Sequence, residues 1–323
     1  MSCIDKIERY FIPNEIVVSL SKIYTFIGKN DHYTSSVKND LAKIIEDTIQ
    51  RDTYFLSKMI KLDLSDNRTR LIISKDSSPR TNDETVLYNL KHVIENIQFF
   101  ASDIDFNAKK ILSYINQIYC VKSTNYKSAE EEAKVEEWAK KVAEMTKLES
   151  IDRIYLNLHY VIDLYNFEPL TDHNEMLTYL ALYIMLLNAH IDCFKFLSLF
   201  EALYPKKEEL LDQLNNTKFN WAIGHAQTNE FVSYIASIII DTYKEVDKFI
   251  KNYTDDVTSN KTDAILNTIL NLPRTFTKED IRAYHPYVSE STINRVLTKL
   301  REENQIKPTG NGRSAKWIKT GMF

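Results

Sequence analysis

Glycine is scarce in this chain, which has five among its 323 residues. Two of them are Gly28 and Gly224, and the other three, Gly310, Gly312 and Gly321, lie near the C-terminus. Loops that cradle phosphates depend on glycine, because it reaches positive φ and lets a ligand approach the backbone closely. The first two-thirds of the chain therefore contains neither a P-loop nor a dinucleotide-binding fingerprint.

Cysteine is also rare, and long apolar runs are missing. Cys3, Cys120 and Cys193 are far apart, and no cysteine or histidine cluster lies beside them, so we expect reduced packing residues and no metal site. No apolar run reaches the roughly 18 residues that a membrane span needs. The segment from Met1 to Arg9 carries charges of both signs and no signal-peptide core. We expect a cytoplasmic protein without a membrane partner.

The composition that remains is that of a globular protein, with 44% hydrophobic and 27% charged residues. A chain of 323 residues is long enough for two or three domains. The charge is uneven, because residues 262–323 contain 10 Lys and Arg against 6 Asp and Glu, while the whole chain has a net charge of −4. An acidic body with a basic C-terminal part indicates where nucleic acid would dock.

Apolar spacing near 3.6 predicts a mainly α body. We expect helices over Val37 to Leu62, Ile151 to Leu164 and Phe231 to Tyr253, and a buried central helix over Thr178 to Leu199. Arg70 to Ile73 is the one segment of the body for which we predict extended backbone.

The C-terminal residues predict a small α+β domain of the winged-helix type. Thr277 and Ser289 have the side chains that begin helices, and Gly310-Asn311-Gly312 is a turn between two strand-like pieces, Ile306 to Thr309 and Ala315 to Ile318. We therefore divide the chain into an N-terminal helical region at 1–107, a helical core at 108–255 and a winged helix at 256–323.

One segment resembles a catalytic motif. It follows a helix containing His159-Tyr160-Val161-Ile162 and reads Glu168-Pro169-Leu170-Thr171-Asp172-His173-Asn174-Glu175-Met176-Leu177-Thr178-Tyr179. It is similar to the motif His-Pro-Phe-x-(Asp/Glu)-Gly-Asn-Gly-Arg-x-x-Arg of the Fic (Fido-fold) family, which is common in bacteria. The likeness continues through Phe196 to Tyr204, Trp221, the helix of Phe231, Tyr234, Ala236 and Tyr243, and the N-terminal segments Tyr10 to Asn14 and Thr69 to Arg80.

The resemblance implies a Fic-like helical core whose catalytic residues have been replaced. Fic enzymes transfer AMP with a histidine base, a Mg²⁺-binding acid, a Gly-Asn-Gly anion site and two arginines. In this chain Glu168 stands for the histidine, His173 and Glu175 stand for the glycines, and Met176 and Tyr179 stand for the arginines. Only Pro169, Asp172 and Asn174 keep the family's residue types, so the resemblance implies a pseudoenzyme.

Charge argues in the same direction. A triphosphate would meet the carboxylates of Glu168, Asp172 and Glu175, and like charges at roughly 4–6 Å cost on the order of 1 kcal/mol each when partly desolvated. We expect no cofactor and no metal. We assign no catalytic role to the motif positions Glu168, Asp172 and Asn174. The acidic turn is then a solvated N-terminus of the central helix.

Two other interpretations of the motif stay open. The first is an altered or weak nucleotidyltransferase-like enzyme, in which Glu168 and Asp172 act with ATP and Mg²⁺, or in which His173 joins them as a metal site. The second is a nucleotide sensor without turnover. The family's inhibitory helix has its nearest counterpart in Thr48 to Thr53, with Asp52 in place of glutamate.

The predicted winged helix supplies the candidate nucleic-acid contacts. Basic and polar side chains on its third helix would face a major groove, and those of the wing would contact phosphates. The candidates are Thr292, Asn294, Arg295, Lys299, Arg301, Arg313, Lys316 and Lys319. The alternative is a winged helix that binds a protein partner. The family resemblance also implies a homodimer.

Overall fold

Helices make up most of the structure, a computed structural model that describes residues 2–120, 124–258, 261–286, 288–309 and 316–320. The expected mainly α class is confirmed. No helix among these residues is long and apolar enough to cross a membrane. The first helices are α1 (Asn14–Ile27), α2 (Asn30–Ser36), α3 (Leu41–Met59), α4 (Asp66–Lys75), α5 (Asn82–Phe100) and α6 (Ala108–Tyr119).

The helices that follow include the predicted central one. They are α7 (Ala129–Leu148), α8 (Arg153–Phe167), α9 (Asn174–Asn188), α10 (Cys193–Phe196), α11 (Leu199–Leu203), α12 (Lys207–Asn216) and α13 (Asn229–Thr258). The described residues also include four 3-10 helices, at Ile4–Arg9, Ala101–Asp103, Tyr204–Lys206 and Trp221–Ile223.

Side chains before the first turn explain why several helices begin where they do. Ser65, Thr81, Asn107, Ser128 and Asp152 each accept a hydrogen bond from a backbone N–H three residues ahead. Such a cap satisfies one of the four N–H groups that a helix leaves unpaired, and it stabilises the helix by about 1 kcal/mol.

The prediction of extended backbone at Arg70 to Ile73 is wrong, because these residues lie inside α4. Ser65 caps this helix, and Ile72 and Ile73 pack against Leu87 in a small buried cluster. The two adjacent β-branched residues suggested a strand, but the cap and the packing of one helical face decide the outcome.

The central helix is buried as predicted, but it is shorter than predicted. Every residue of α9 from Met176 to Leu187 is buried. The apolar run continues to Leu199, whereas α9 ends at Asn188 because His190 adopts a left-handed conformation with φ of 61°. The short helices α10 and α11 then carry the rest of the run.

The three cysteines are free thiols, and one of them differs from expectation. Cys3 and Cys193 are buried, as packing residues should be, whereas Cys120 is exposed. Cys120 ends α6 with φ of 52°. The side-chain amide of Asn89 donates to its sulfur at 3.0 Å.

The chain divides into two compact units. One comprises Met1–Asn30 and Ile45–Tyr243, and the other comprises Asp31–Ile44 and Lys244–Phe323. The three-domain division at 107/108 and 255/256 stays a prediction.

The second unit contains the structure's described sheet. Its C-terminal elements are α14 (Lys261–Asn271), β1 (Thr275–Phe276), α15 (Lys278–Tyr284), α16 (Glu290–Glu302), β2 (Ile306–Pro308) and β3 (Trp317–Lys319). The strands pair antiparallel in the order β1-β3-β2, with Phe276 opposite Trp317. The sequence missed β1, whose two residues are too few to show alternation. The predicted turn at Gly310 to Gly312 lies outside the described residues.

The predicted helix starts in this unit are confirmed. Thr277 and Asp280 form a reciprocal capping box at α15, and Ser289 accepts from the backbone N–H of Thr292 at α16. The core beneath them joins apolar residues of all the C-terminal elements, including Ile265, Phe276, Ile281, Ile293, Val296, Leu297, Leu300, Ile306 and Trp317.

A buried carboxylate fastens the start of the chain to α8 in the first unit. Asp163 accepts hydrogen bonds from the backbone N–H groups of Cys3 at 2.7 Å and Ile4 at 2.8 Å. The indole N–H of Trp221 donates to the same carboxylate at 2.7 Å. Burial raises the pKa of Asp163 to about 6, although the three donors act in the opposite direction.

Removing this acceptor should destabilise the protein strongly. We expect Asp163→Ala to lower the free energy of unfolding by about 3 kcal/mol or more, because buried N–H groups lose their partner. Urea denaturation at pH 7 measures the change. Asp172→Ala, at an exposed position nearby in sequence, is the control and should shift the value by less than about 0.5 kcal/mol. Equal effects of the two substitutions would contradict the anchoring role.

Candidate functional site

The motif-like segment forms the loop between α8 and α9. Glu168 ends α8 in a left-handed conformation, with φ of 47° and its N–H bonded to the carbonyl of Leu164. Leu170 is fully buried, while Thr171 and Asp172 are exposed. The loop is therefore anchored at its centre and open to solvent where it approaches α9.

The side chain of Asn174 holds this loop closed. Its amide oxygen accepts from the backbone N–H of Leu170 at 3.0 Å, and its amide nitrogen donates to the carbonyl of Leu170 at 2.8 Å. Both backbone groups of Leu170 are thereby satisfied by one residue at the start of α9. This gives Asn174 a structural role that requires no ligand.

A short extended segment lines the other side of the loop. The backbone N–H of Thr171 donates to the carbonyl of Asn125, and that of Lys127 donates to the carbonyl of Pro169, both at 2.9 Å. Tyr126 and Leu170 form an antiparallel bridge between these two bonds. The loop is therefore paired along its backbone as in a two-stranded ribbon.

His173 occupies the position of the motif's first glycine, and its backbone keeps the glycine-like conformation. Its φ is 66°, in the left-handed region that side chains rarely adopt. The imidazole stacks on Tyr119 at the end of α6, with the ring centroids 3.5 Å apart and the planes at 7°. Burial lowers the pKa of His173, and the nearby Asp172 partly offsets this effect.

Two lysines from distant parts of the chain reach the carboxylates of the loop. Lys218 Nζ lies 3.5 Å from Glu168, and Lys207 Nζ lies 3.4 Å from Glu175. Glu175 also accepts from the hydroxyl of Tyr179 at 2.9 Å. Neither lysine could be predicted from the motif, because both lie more than 25 residues beyond Tyr179, on or after α12.

Asp52, from the candidate inhibitory helix, lies within α3 and is completely buried. It accepts from the hydroxyls of Tyr183 at 2.5 Å and Ser198 at 2.6 Å, and from the backbone N–H of Phe200 at 3.1 Å. Its partner on α9 is therefore Tyr183, one turn beyond Tyr179. Burial raises the pKa of Asp52 to about 7, and the three hydrogen bonds oppose this shift.

His159 packs inside the same unit. Its ring lies 2.8 Å from the carbonyl of Tyr155 and 3.0 Å from the hydroxyl of Thr228, and the side chain is fully buried. Burial lowers its pKa to about 4, which keeps the ring neutral. Among the described residues, no group of three or more His, Cys, Asp or Glu side chains is arranged to hold a metal ion.

The nucleic-acid candidates differ in exposure. Arg295, Lys299, Arg301 and Lys316 are exposed, while Thr292 and Asn294 are half-buried. Thr292 lies beside Ser289 at the helix start, with 2.9 Å between their hydroxyls. Arg313 lies outside the described residues.

Lys319 makes hydrogen bonds within the fold, and its predicted contact with nucleic acid stays a prediction. Its Nζ donates to the carbonyls of Leu270 at 2.8 Å and Leu272 at 2.6 Å, at the end of α14. Burial lowers its pKa. A cation at this place satisfies carbonyls that a helix end leaves unpaired, so this ammonium serves the fold.

Two solved structures are similar to this chain. A Fic family protein from Desulfovibrio desulfuricans G20 superposes with a TM-score of 0.55 at 14% identity, over 97% of this chain and 98% of that one. The chain has the Fic fold. A Fic domain containing signaling protein from Bacteroides thetaiotaomicron VPI-5482 gives a TM-score of 0.54 at 13% identity, over 73% of this chain and 98% of that one.

The similarity of the structures thus confirms the Fic fold that the motif-like segment predicts. No protein-family model matches the sequence, and no curated protein matches it either. Identities of 13–14% establish the fold and leave the chemistry to be argued from this chain's own residues.

The buried Asp52 makes stability depend on pH in a defined direction. Its pKa is about 7 in the folded protein and near 3.8 in the unfolded chain, so its contribution is fully present below pH 3.8 and is lost as pH rises through 7. Relative to Asp52→Asn, the wild type should lose up to about 1.4 kcal/mol of unfolding free energy for each pH unit in this window.

Urea denaturation of both proteins between pH 4 and 8 measures that difference. Since His159 and Asp163 are present in both proteins, their titration cancels. A difference that stays constant from pH 4 to 7 would contradict a raised pKa at Asp52.

Proposed function

We propose that this Fic-fold protein does not transfer AMP and acts by binding, with its C-terminal α14–β3 segment forming a winged helix that contacts DNA. The observation that carries the first part is the start of α9. A glutamate and an imidazole stand there in place of the motif's glycines, where a polyphosphate would need free backbone N–H groups.

The side chains around the loop support this proposal. The imidazole of His173 is held against Tyr119, so it covers the turn that precedes α9. Lys207 and Lys218 are each already paired with a carboxylate, and the exposed Asp172 adds a further negative charge. Both lysines that reach the carboxylates of the loop are therefore already engaged, and a triphosphate would compete with those carboxylates for them.

The hydrogen bonds of the loop explain why Asn174 can be retained without catalysis. Asn174 closes the loop through Leu170, which is a task of the fold. Retaining Asn174 therefore does not require retained chemistry. The altered-enzyme alternative would rest on Glu168 and Asp172, which are exposed, and Glu168 already pairs with Lys218.

Nucleotide binding provides the test of the first part. Titration calorimetry with ATP and Mg²⁺ should give no binding at about 1 mM nucleotide, and incubation with labelled ATP and Mg²⁺ or Mn²⁺ should give no labelled protein. Affinity should increase in Glu168→Gln/Glu175→Gln, which removes two negative charges without changing volume.

Self-labelling by the wild type that disappears in Glu168→Ala would contradict the proposal. Tyr165→Phe, which removes a hydroxyl bonded to Asn215 outside the loop, is the control and should behave as the wild type does.

The second part of the proposal rests on the C-terminal elements and on α16. The order helix, strand, two helices and two strands, with a three-stranded antiparallel sheet, supports the proposal, because a winged helix has elements in this order. Helix α16 buries Ile293, Val296, Leu297 and Leu300 and turns its other face to solvent. The second of two packed helices is the one that enters the major groove in such proteins.

The exposed face of α16 carries three cations, and the exposed Glu302 is at its end. Arg295 and Lys299 are one turn apart and exposed, and Arg301 follows them. The acidic residue at the helix start, Glu290, is paired with Arg282 at 2.9 Å. The cations at positions 295 and 299 are thus available for phosphates or base edges.

DNA binding should depend on these two cations. We expect Arg295→Ala/Lys299→Ala to weaken retention of genomic DNA fragments and to reduce the slope of log K against log salt by about 1.8, because two phosphate contacts are lost. Fluorescence anisotropy at several salt concentrations measures both quantities.

The matched control is Arg9→Ala/Lys22→Ala, which removes one exposed arginine and one exposed lysine from the first unit. It should leave DNA binding unchanged. If the wild type retained no fragment at about 100 mM salt, the DNA role would be wrong, and a protein partner would be the alternative.

A further inference from the structure

A cavity far from the motif-like loop contains an arginine without a counter-ion. The cavity encloses about 360 Å³ between α7, the 3-10 helix Ala101–Asp103 with the loop after it, the start of α8 and the end of α9. The loop lies at the N-terminus of α9, whereas Met185 and Asn188 of the cavity lie near its C-terminus. At 1.5 Å per residue, the two ends of this helix are about 20 Å apart.

The walls of the cavity are largely apolar. Ile104 and Phe106 come from the loop, Val142 comes from α7, and Met185 comes from α9, and all four are buried in the fold. A volume of about 360 Å³ lies within the range of small-molecule sites, which combine apolar walls with a few polar groups.

Arg153 is the cation of this cavity. It is half-buried, and one end of its guanidinium donates to the side-chain carbonyl of Asn188 at 2.8 Å. Asn188 in turn donates to the backbone carbonyl of Ala101 at 3.2 Å. The guanidinium Nε has no hydrogen-bond partner. Arg153 is thus held in position by a neutral amide that leaves its charge uncompensated.

No carboxylate among the described residues forms an ion pair with Arg153. Its neighbour Asp152 uses one oxygen on the backbone N–H of Tyr155 and the other on the hydroxyl of Tyr24. Burial lowers the pKa of Arg153, which is the effect of a charge that lacks a counter-ion. A fixed guanidinium of this kind matches the two oxygens of a carboxylate.

We propose that this cavity binds a small organic acid that carries one carboxylate on an apolar body. The carboxylate pairs with Arg153, and the body lies against the apolar walls. Asp103, Asp105 and Lys147 also line the cavity and are exposed. The charges of these three side chains and of Arg153 sum to zero, so one guanidinium is left for one carboxylate, and the ligand is a monoacid and not a phosphate ester or a nucleotide.

Titration calorimetry with octanoate, 1-octanol and octylamine tests this site, because the three probes share one apolar chain. We expect octanoate to bind the full-length protein about tenfold or more tightly than octanol, since a charge-assisted hydrogen bond adds to the apolar contact. Octylamine should bind more weakly than octanol. In Arg153→Gln, octanoate should fall to the affinity of octanol.

Two further variants make the result decisive. Ala143→Trp fills the cavity from an exposed position and should abolish binding of octanoate, even if Arg153→Gln fails to fold. Arg9→Gln, at an exposed arginine outside the cavity, should bind as the wild type does. Equal affinity for octanoate and octanol, binding that survives Ala143→Trp, or no binding of any probe at about 5 mM would each overturn the proposal.

Discussion

The burial of α9 from Met176 to Leu187 is the constraint on which the first unit depends. A polar group that this helix carries into the core needs a hydrogen-bond partner, and where α9 does not supply it, another element does. Tyr183 finds Asp52 of α3, and Asn188 finds Arg153 of α8 and a backbone carbonyl near the end of α5. At the other end, Asn174 bonds the loop that leads into the helix. The polar residues of α9 therefore determine which elements surround it.

Much of this arrangement follows from the sequence. The helices, the burial of α9 and the caps at Thr277 and Ser289 are encoded in local patterns, since periodicity and capping act within a few residues. The Fic fold can be predicted from the family resemblance of residues distributed between Tyr10 and Tyr243. At Arg70 to Ile73 the preference of β-branched residues for strands is overridden by a helix cap. Beyond Asn188 the apolar run does not continue α9, because one residue adopts a left-handed conformation.

In the candidate site, residue identities can be predicted from the sequence, but the contacts between distant residues cannot. The residues that stand where the similar motif has glycines and arginines can be read directly from the sequence. The lysines that pair with Glu168 and Glu175, and the buried environment of Asp52, depend on contacts between residues 32 to 148 positions apart, which no window of sequence reports. Lys319 shows the converse case, in which a basic residue in a basic segment is used by the fold.

The hydrogen bonds of Asp163 also set an order of events during synthesis. Its partners are the amides of residues 3 and 4 and the indole of Trp221, so this set of hydrogen bonds cannot be completed until translation has gone on from position 4 to position 221. At about 5–20 residues per second, that wait lasts roughly 10–45 s. Until then the carboxylate that receives the 3-10 helix of Ile4 and Ile7 lacks the indole N–H that completes its set of donors.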